Sequence, residues 1–137
     1  MVELIVGLQG SGKTKKIIDL VNNAAQTSDG CVVCIEKGEK LRFNITHSVR
    51  LVNTAHYDIE TADALYGLVC GLYAENYDIT HVFIDSALKI CGKDIEAFAA
   101  FVKRADAISD KHGFECIMTA SVEKDALPED IKKYLAE

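Results

Sequence analysis

The sequence predicts an α/β fold with a mostly parallel central sheet and helices on both of its faces. Short, almost wholly apolar runs typical of buried parallel strands recur along the chain. Stretches with an apolar residue at every third or fourth position separate them. Strands that alternate with helices in this way form right-handed βαβ units whose helices cover the sheet. A length of 137 residues matches one domain, so we expect residues 1–137 to form a single three-layer unit.

Charge and composition narrow the classes of function. The net charge of −6 disfavours a nucleic-acid surface, because neutralising phosphates requires clustered Lys and Arg. The densest basic cluster is Lys13, Lys15 and Lys16. No apolar run approaches the roughly 18 residues of a membrane helix, and the residues after Met1 do not resemble a secretory signal. We therefore expect a cytoplasmic protein that does not bind membranes.

The first part of the chain predicts two core strands around one helix. The apolar run at 2–6 is the first strand, and a glycine-rich loop follows it at once. A helix begins near Lys13 and ends at Asp29 and Gly30, before a second strand at 31–37. Its inward face consists of apolar residues at helical spacing, namely Ile17, Ile18, Val21, Ala24 and Ala25.

The middle of the chain is less regular. Residues 41–45 and 49–53 are weaker strand candidates on either side of a turn at 46–48, as in a small hairpin. Residues 62–76 return to helical period. The apolar stripe of this second helix contains Leu65, Leu68, Val69, Leu72 and Tyr73.

The last part predicts two further core strands, at 81–85 and 114–120. Between them Asp94 can cap a long helix, which ends at 111–113 in a typical Lys-His-Gly sequence. Pro128 suits the first turn of a terminal helix. The inward residues predicted for these two helices are Ile95, Phe98, Ala99, Val102 and Ala105, and then Ile131, Tyr134 and Leu135.

Two of the five cysteines, Cys31 and Cys34, form a C-x-x-C pair inside the predicted second strand. Such pairs elsewhere bind zinc or perform redox chemistry. Positions three apart in a strand point to opposite faces, however, and no second pair or spaced histidines completes a zinc site. We therefore interpret both residues as reduced cysteines buried in the strand.

The loop after the first strand reads GLQGSGKT and matches G-x-x-x-x-G-K-[ST] through Gly7, Gly12, Lys13 and Thr14. Glycines let successive backbone N–H groups curl around a phosphate, and the helix directs its positive end at the anion. The lysine then bridges the β- and γ-phosphates, and the hydroxyl binds Mg²⁺. The alternative is a strand-to-helix turn with a surface lysine. The strand before the motif and the helix after it favour the phosphate site.

With this loop as Walker A, the sequence resembles the P-loop nucleoside triphosphatases. HVFIDS at 81–86 looks like their Walker B motif, an apolar strand that ends in Asp85, although a solvated acid at a strand end is the alternative. The resemblance implies a P-loop fold that binds ATP and Mg²⁺, with Thr14 and Asp85 as metal-binding residues. It places around the nucleotide Gly7, Gln9, Gly10, Ser11, Gly12, Lys13, Thr14 and Lys15.

The order of elements is similar to that of the recombinase-type branch of this superfamily, and especially to the core of type II thymidine kinases. Two features depart from those families. Ser86 stands where they commonly have a glutamate directly after the Walker B aspartate, and the zinc-bearing lasso of the thymidine kinases has no counterpart. The resemblance therefore supports nucleotide binding more than thymidine phosphorylation.

A general base has to come from elsewhere in the chain, because Ser86 is not an acid. Glu36, at the end of the second strand, is the candidate that would act with Lys13 in catalysis, and the alternative is a solvated loop acid. Thr119 or Ser121, at the end of the fourth core strand, is a candidate sensor of the γ-phosphate, by resemblance to the recombinase branch. The alternative is a hydroxyl bonded to its own backbone.

Two hypotheses of function follow. The chain is either a slow Mg²⁺-dependent ATPase or small phosphotransferase, or a regulatory module that binds nucleotide with little turnover. The missing acid after Asp85 favours the second, and the complete Walker A motif fits both. The lack of an N-K-x-D guanine signature favours adenine. We expect slow turnover unless a protein partner or a second subunit completes the site. In a second subunit, an arginine finger would require Arg42, Arg50 or Arg104 to project at the interface, and the alternative is that all three are surface charges.

Overall fold

The computed structural model describes residues 1–136 and shows an α/β fold built on a five-stranded sheet. The strands lie in the order β1-β5-β4-β2-β3, and every neighbouring pair is parallel. The predicted α/β class with a mostly parallel sheet is confirmed, and this sheet is parallel throughout. The strands are β1 (Val2–Gly7), β2 (Cys31–Glu36), β3 (Arg50–Asn53), β4 (Ile79–Ile84) and β5 (Glu115–Ser121).

Four α-helices lie between the strands. The long helices start and end close to where helical period predicted them, but the short α3 was not predicted. The helices are α1 (Lys13–Thr27), α2 (Ala62–Glu75), α3 (Ala87–Ile90) and α4 (Ile95–His112), with 3₁₀ segments at Thr54–Tyr57, Lys124–Ala126 and Glu129–Tyr134.

The ends of α4 follow from two residues that the sequence singled out. The Ala97 N–H donates to Asp94 Oδ1 at 3.0 Å, which satisfies one of the free N–H groups at the helix start. Gly113 ends the helix with a left-handed φ of 79°. That conformation is costly for residues with a Cβ, so glycine is the residue that suits this position.

Two hydrophobic clusters cover the two faces of the sheet, because successive strand residues point to opposite sides. In β2, Val33 and Ile35 belong to the cluster that contains α2, α3 and α4. Val32 and Cys34 belong to the cluster that contains α1. Helices therefore pack on both faces, as the three-layer prediction required.

Residues 41–45 form turns, so the strand predicted there is wrong. Leu41 and Ile45 are buried in the cluster around α1, which explains their apolar pattern without a strand. The side chain of Asn22 in α1 fastens this segment: its amide donates to the Asn44 carbonyl at 2.8 Å. The next strand, β3, pairs in parallel with β2, so the predicted hairpin is wrong as well.

The predicted terminal helix is a 3₁₀ segment, Glu129–Tyr134. Pro128 precedes it, and Ile131 is fully buried as predicted. The chain then runs extended beside β1, where the Ala136 N–H donates to the Leu4 carbonyl at 2.8 Å. A longer α-helix would carry these residues away from the sheet edge, so tertiary pairing with β1 limits the helix.

The C-x-x-C cysteines lie on opposite faces of β2. Cys34 is buried as expected, and burial raises the pKa of its thiol. Cys31, the first residue of the strand, is exposed, which corrects the prediction that both are buried. Both are free thiols.

The carboxyl ends of the strands meet along one edge of the sheet. Gly7 is in register with Ser121 across β1 and β5, and Ile84 is in register with Met118 across β4 and β5. In open parallel sheets this edge is where ligands bind. No helix in residues 1–136 combines the length and apolar character that a bilayer span requires.

Candidate functional site

Glycines shape the loop between β1 and α1. Gly10 and Gly12 have φ angles of 86° and 89°, in the left-handed region that favours glycine. A Cβ on Gly7 would lie 2.5 Å from Ser11 Oγ, so the loop folds back closely over the strand end. The Ser11 N–H closes this turn by donating to the Leu8 carbonyl at 3.1 Å.

Four other backbone N–H groups of this loop have no partners among residues 1–136. None of Gly10, Gly12, Lys13 and Thr14 donates its backbone N–H to another described residue. Gly12 caps α1 without a side-chain hydrogen bond, and the first turn of the helix contains no acidic residue. The free N–H groups and the positive end of the helix dipole therefore favour an anion at this position.

The Lys13 side chain lies over the loop. Its Nζ donates to the Leu8 carbonyl at 2.9 Å and lies 3.4 Å from Ser11 Oγ. It makes no ion pair within residues 1–136. A positive charge next to several free N–H groups strengthens the attraction for an anion.

Asp85 lies directly after β4 and is 9% exposed. Thr119 Oγ1 donates to its Oδ1 at 2.7 Å, and the Ser86 N–H donates to Thr119 Oγ1 at 2.8 Å. Thr119 reaches both because β5 lies between β1 and β4. Its hydroxyl thus bonds across strands rather than to its own backbone, and its predicted role as a γ-phosphate sensor stays a prediction.

The loop and Asp85 face each other across a cleft of about 410 Å³. Three lysines and one aspartate lie along it, so its walls carry a net positive charge in a chain of net charge −6. The lining residues are Gln9, Gly10, Gly12, Lys13, Thr14, Lys40, Asp85, Ser86, Lys89, Thr119 and Ser121.

Three of the residues predicted to bind nucleotide do not line this cleft. Gly7 and Ser11 lie close to each other, and the Ser11 N–H closes the turn of the loop. The Lys15 side chain points along the outside of α1, where its Nζ lies 3.7 Å from Asp19 Oδ2. Gln9, which the motif leaves variable, lies on the lining.

The predicted base Glu36 ends β2, but it does not line the cleft. It is 4% exposed, and its two oxygens accept the backbone N–H groups of Lys40 and Leu41 at 3.1 and 3.2 Å. Burial raises the pKa of the Glu36 carboxyl, which the two N–H groups partly oppose. The carboxylate thus anchors the loop after β2, and its role as a base stays a prediction.

None of the three arginines lines the cleft. Arg42 lies 3.7 Å from Glu39, and Arg104 lies 3.0 Å from Asp63, both at the surface. Arg50 starts β3 and is exposed. Within a single copy of the chain the three arginines are therefore surface charges, as the alternative interpretation stated.

Sequence patterns did not single out two lysines of the cleft, Lys40 and Lys89. Lys40 belongs to the loop that Glu36 anchors, and Lys89 belongs to the unpredicted α3. Neither lies in a motif, so only the tertiary structure shows that they line the same cleft as the glycine loop.

The residues of the cleft suit a magnesium ion that shares its shell with phosphates. Mg²⁺ in such sites takes one or two carboxylates together with phosphate oxygens and water. Asp85 Oδ2 accepts no hydrogen bond from residues 1–136, and the Thr14 hydroxyl is exposed on the same lining. Within the described chain no three His, Cys, Asp or Glu side chains cluster, so an all-protein metal cage is not formed there.

Comparisons with known proteins do not place the chain in a family. No family model matches it, and no curated protein is significantly similar to it. The sequence motifs and the geometry of the cleft are therefore the features that indicate a function.

Proposed function

We propose that this chain is a P-loop nucleoside triphosphatase-like protein that binds Mg·ATP in the cleft between the glycine loop and Asp85. The observation that carries the proposal is the row of unpartnered backbone N–H groups at Gly10, Gly12, Lys13 and Thr14, at the uncapped start of α1. A glycine turn that binds no ligand does not require a lysine and an aspartate on facing walls of a cleft.

Each group of the site has a role in this proposal. The loop N–H groups would donate to the β-phosphate, and Lys13 would exchange its bond with the Leu8 carbonyl for the β- and γ-phosphates. The Thr14 hydroxyl and Asp85, the latter through water, would hold Mg²⁺. Bound Mg²⁺ would neutralise part of the charge on the phosphates. The hydroxyl of Thr119 keeps Asp85 oriented.

As an enzyme, the protein would be a slow ATPase or a small phosphotransferase. An oxygen of water or of an acceptor would attack the γ-phosphorus, the bond to the β–γ bridging oxygen would break, and ADP would leave with those electrons. Within residues 1–136 Asp85 is the one acid on the lining, and it is assigned to the metal. The attacking oxygen therefore lacks an evident base, so we expect slow chemistry.

A regulatory module is the second candidate, and the Glu36 geometry favours it. Both oxygens of Glu36 bind the backbone of the loop that presents Lys40. Phosphates that attract Lys40 would pull on this loop, so occupancy of the cleft would change the shape of the surface next to it. A partner or second subunit that reads this change would need little turnover.

Calorimetric titration with ATP and with GTP, each with Mg²⁺ and with EDTA, tests the binding proposal. We expect ATP to bind and Mg²⁺ to tighten the binding, and equal weak heats in every arm would contradict the proposal. Phosphate release, measured with and without cell extract, then separates the two candidates. Turnover well below the roughly 1–100 s⁻¹ of efficient kinases, with ATP retained for minutes, is expected of the protein alone.

A further inference from the structure

A second cleft of about 400 Å³ adjoins the phosphate cleft. The two share Gln9, Ser86, Lys89 and Ser121 on their common wall. The second cleft does not include Gly12, Lys13 or Thr14, and it extends beyond the shared wall to Leu88 and Lys93. Its volume lies in the range of roughly 300–1,000 Å³ that is usual for small-molecule sites.

The charge of the second cleft is positive. Lys89 and Lys93 line it, no acidic residue does, and the remaining wall consists of Gln9, Ser86, Leu88 and Ser121. Neither lysine forms an ion pair within residues 1–136. Like charges that face one concave wall without acidic partners concentrate anions there.

The segment that carries both lysines is held firmly. The Cys91 N–H donates to the Ala87 carbonyl at 3.0 Å, and the Lys93 N–H donates to the Leu88 carbonyl at 2.9 Å. Ala87, Ile90 and Cys91 are buried in the core beneath it. The backbone that presents the two ammonium groups is therefore ordered before any ligand arrives, which lowers the cost of binding.

We propose that this second cleft binds the phosphate group of a phosphomonoester, the second substrate of the protein. The inference rests on the proposed nucleotide function and makes it a phosphotransferase rather than an ATPase. A deprotonated oxygen of the bound phosphate group would attack the γ-phosphorus of ATP, the bond from that phosphorus to the β–γ bridging oxygen would break, and ADP would leave with those electrons. Two lysines match the charge of about −1.5 to −2 that a phosphomonoester carries at neutral pH. A carboxylate carries one charge and is best recognised by the fork of an arginine, and no arginine lines this cleft.

Amide chemical shifts of the ¹⁵N-labelled protein test the proposal in two steps. Mg²⁺ and a non-hydrolysable ATP analogue are added first, until the amides of residues 10–14 stop moving. Inorganic phosphate and AMP are then titrated separately. We expect both to shift the amides of Leu88 to Lys93, and AMP to bind more tightly, because its nucleoside adds contacts along the remaining wall.

The variants Lys93→Gln and Lys111→Gln form a matched pair, because each removes one exposed lysine charge. Lys111 lies in the last turn of α4, away from both clefts. Lys93→Gln should weaken AMP and phosphate binding roughly tenfold or more, the usual effect of losing a charge-assisted hydrogen bond. Lys111→Gln should leave both affinities unchanged, and thermal unfolding checks that each variant is folded.

The outcomes separate this inference from the proposed function. If the ATP analogue does not move residues 10–14, the proposed function fails and the second site fails with it. If the analogue binds but neither probe moves residues 88–93, only the second site is overturned. The second site alone is also overturned if the ATP analogue itself fills the second cleft. It is overturned as well if phosphate binds and AMP does not, because the cleft would then bind free phosphate rather than a phosphomonoester.

Discussion

Lys13 is the side chain on which the proposed phosphate binding depends most directly. Lys13→Ala should weaken Mg·ATP binding by roughly 10- to 150-fold, because a hydrogen bond to a charged group contributes about 1.5–3 kcal/mol. The fold should remain intact, since Lys13 Nζ contacts only the loop, at Leu8 and Ser11. Calorimetric titration of both proteins measures the change.

Lys16→Ala is the matched control for this change. Lys16 lies in the same first turns of α1, it is exposed, and it does not line the cleft. Its loss lowers the net charge of the helix by the same amount. Equal ATP affinities for Lys13→Ala and the wild type would refute the phosphate assignment, whereas equal losses in both variants would indicate a general charge effect.

Asp85 is expected to act on the metal rather than on the nucleotide. Asp85→Asn keeps the oxygen that accepts from the Thr119 hydroxyl, so the local hydrogen bonds survive. It removes the negative charge that holds hydrated Mg²⁺. The gain in ATP affinity on adding Mg²⁺ should therefore shrink, while the affinity in EDTA should change less. An undiminished magnesium effect would show that Asp85 is not the metal-binding acid.

At the scale of single elements, two glycines should respond in opposite ways to alanine. A Cβ on Gly30, directly before β2, would collide with the Asp78 carbonyl oxygen, which also accepts the Cys31 N–H. Gly30→Ala should cost about 1–3 kcal/mol by overpacking. Gly67 in α2 has open space around its Cβ position, and Gly67→Ala should stabilise the protein by about 0.5–1 kcal/mol. Urea unfolding measures both, and the same sign for the two variants would contradict the packing argument.

The loop after β2 is expected to depend on Glu36. Glu36→Gln leaves one oxygen to accept either the Lys40 or the Leu41 N–H, so one of these bonds is lost. The amide that loses its partner should exchange with solvent roughly 10- to 150-fold faster, because bonds to a charged group contribute about 1.5–3 kcal/mol. Hydrogen exchange measured by NMR reports this directly.

The same variant decides between the two roles of Glu36. Faster hydrogen exchange of the loop amides, with an unchanged rate of phosphate release, would identify Glu36 as a loop anchor. Slower phosphate release with unchanged hydrogen exchange would support Glu36 as the predicted base. The pairing of β2 with β4 places Glu36 next to Asp85.

For the whole molecule, the pH dependence of stability should include a contribution from His81 in β4. Burial lowers the pKa of its imidazole, and nearby Glu115 opposes this only partly. Because the folded-state pKa lies below the unfolded value of 6.5, the contribution is fully present above pH 6.5 and is lost as the pH falls below it. His81→Gln should therefore flatten the decline of the free energy of unfolding below pH 6.5.

The exposed His47 supplies the control, since His47→Gln removes an imidazole that is not in the sheet. The raised pKa of Glu36 changes the free energy of unfolding in the opposite direction, because its stabilising contribution is lost as the pH rises. This contribution is present in both variants and cancels in their comparison. Urea unfolding from pH 7.5 to 5 measures how steeply the free energy of unfolding falls with pH for each protein. If it falls as steeply for His81→Gln as for the wild type, burial of this imidazole is not a source of the acid sensitivity.

The α/β fold and the glycine turn between β1 and α1 could be predicted because both follow from local sequence patterns, whereas phosphate binding by this turn stays a prediction. Period two or a continuous apolar run indicates a strand, period 3.6 indicates a helix, and their alternation implies a parallel sheet. The left-handed φ angles of Gly10 and Gly12 follow from the glycines themselves. The predicted strand at 41–45 was wrong because burial under α1 produces the same apolar pattern as a strand.

The sequence by itself therefore determined the α/β class, the long helices and the residues that turn the loop between β1 and α1. Only the tertiary structure decided that β5 separates β1 from β4, which brings Thr119 to Asp85. It also decided that Lys89 lies on the wall that the two clefts share, that Lys93 lines the second cleft alone, and that Glu36 is bound to its own loop. The physical reason is that periodicity reports which side of an element is buried. The order of strands and the faces that meet at their ends depend on contacts between residues far apart in the chain.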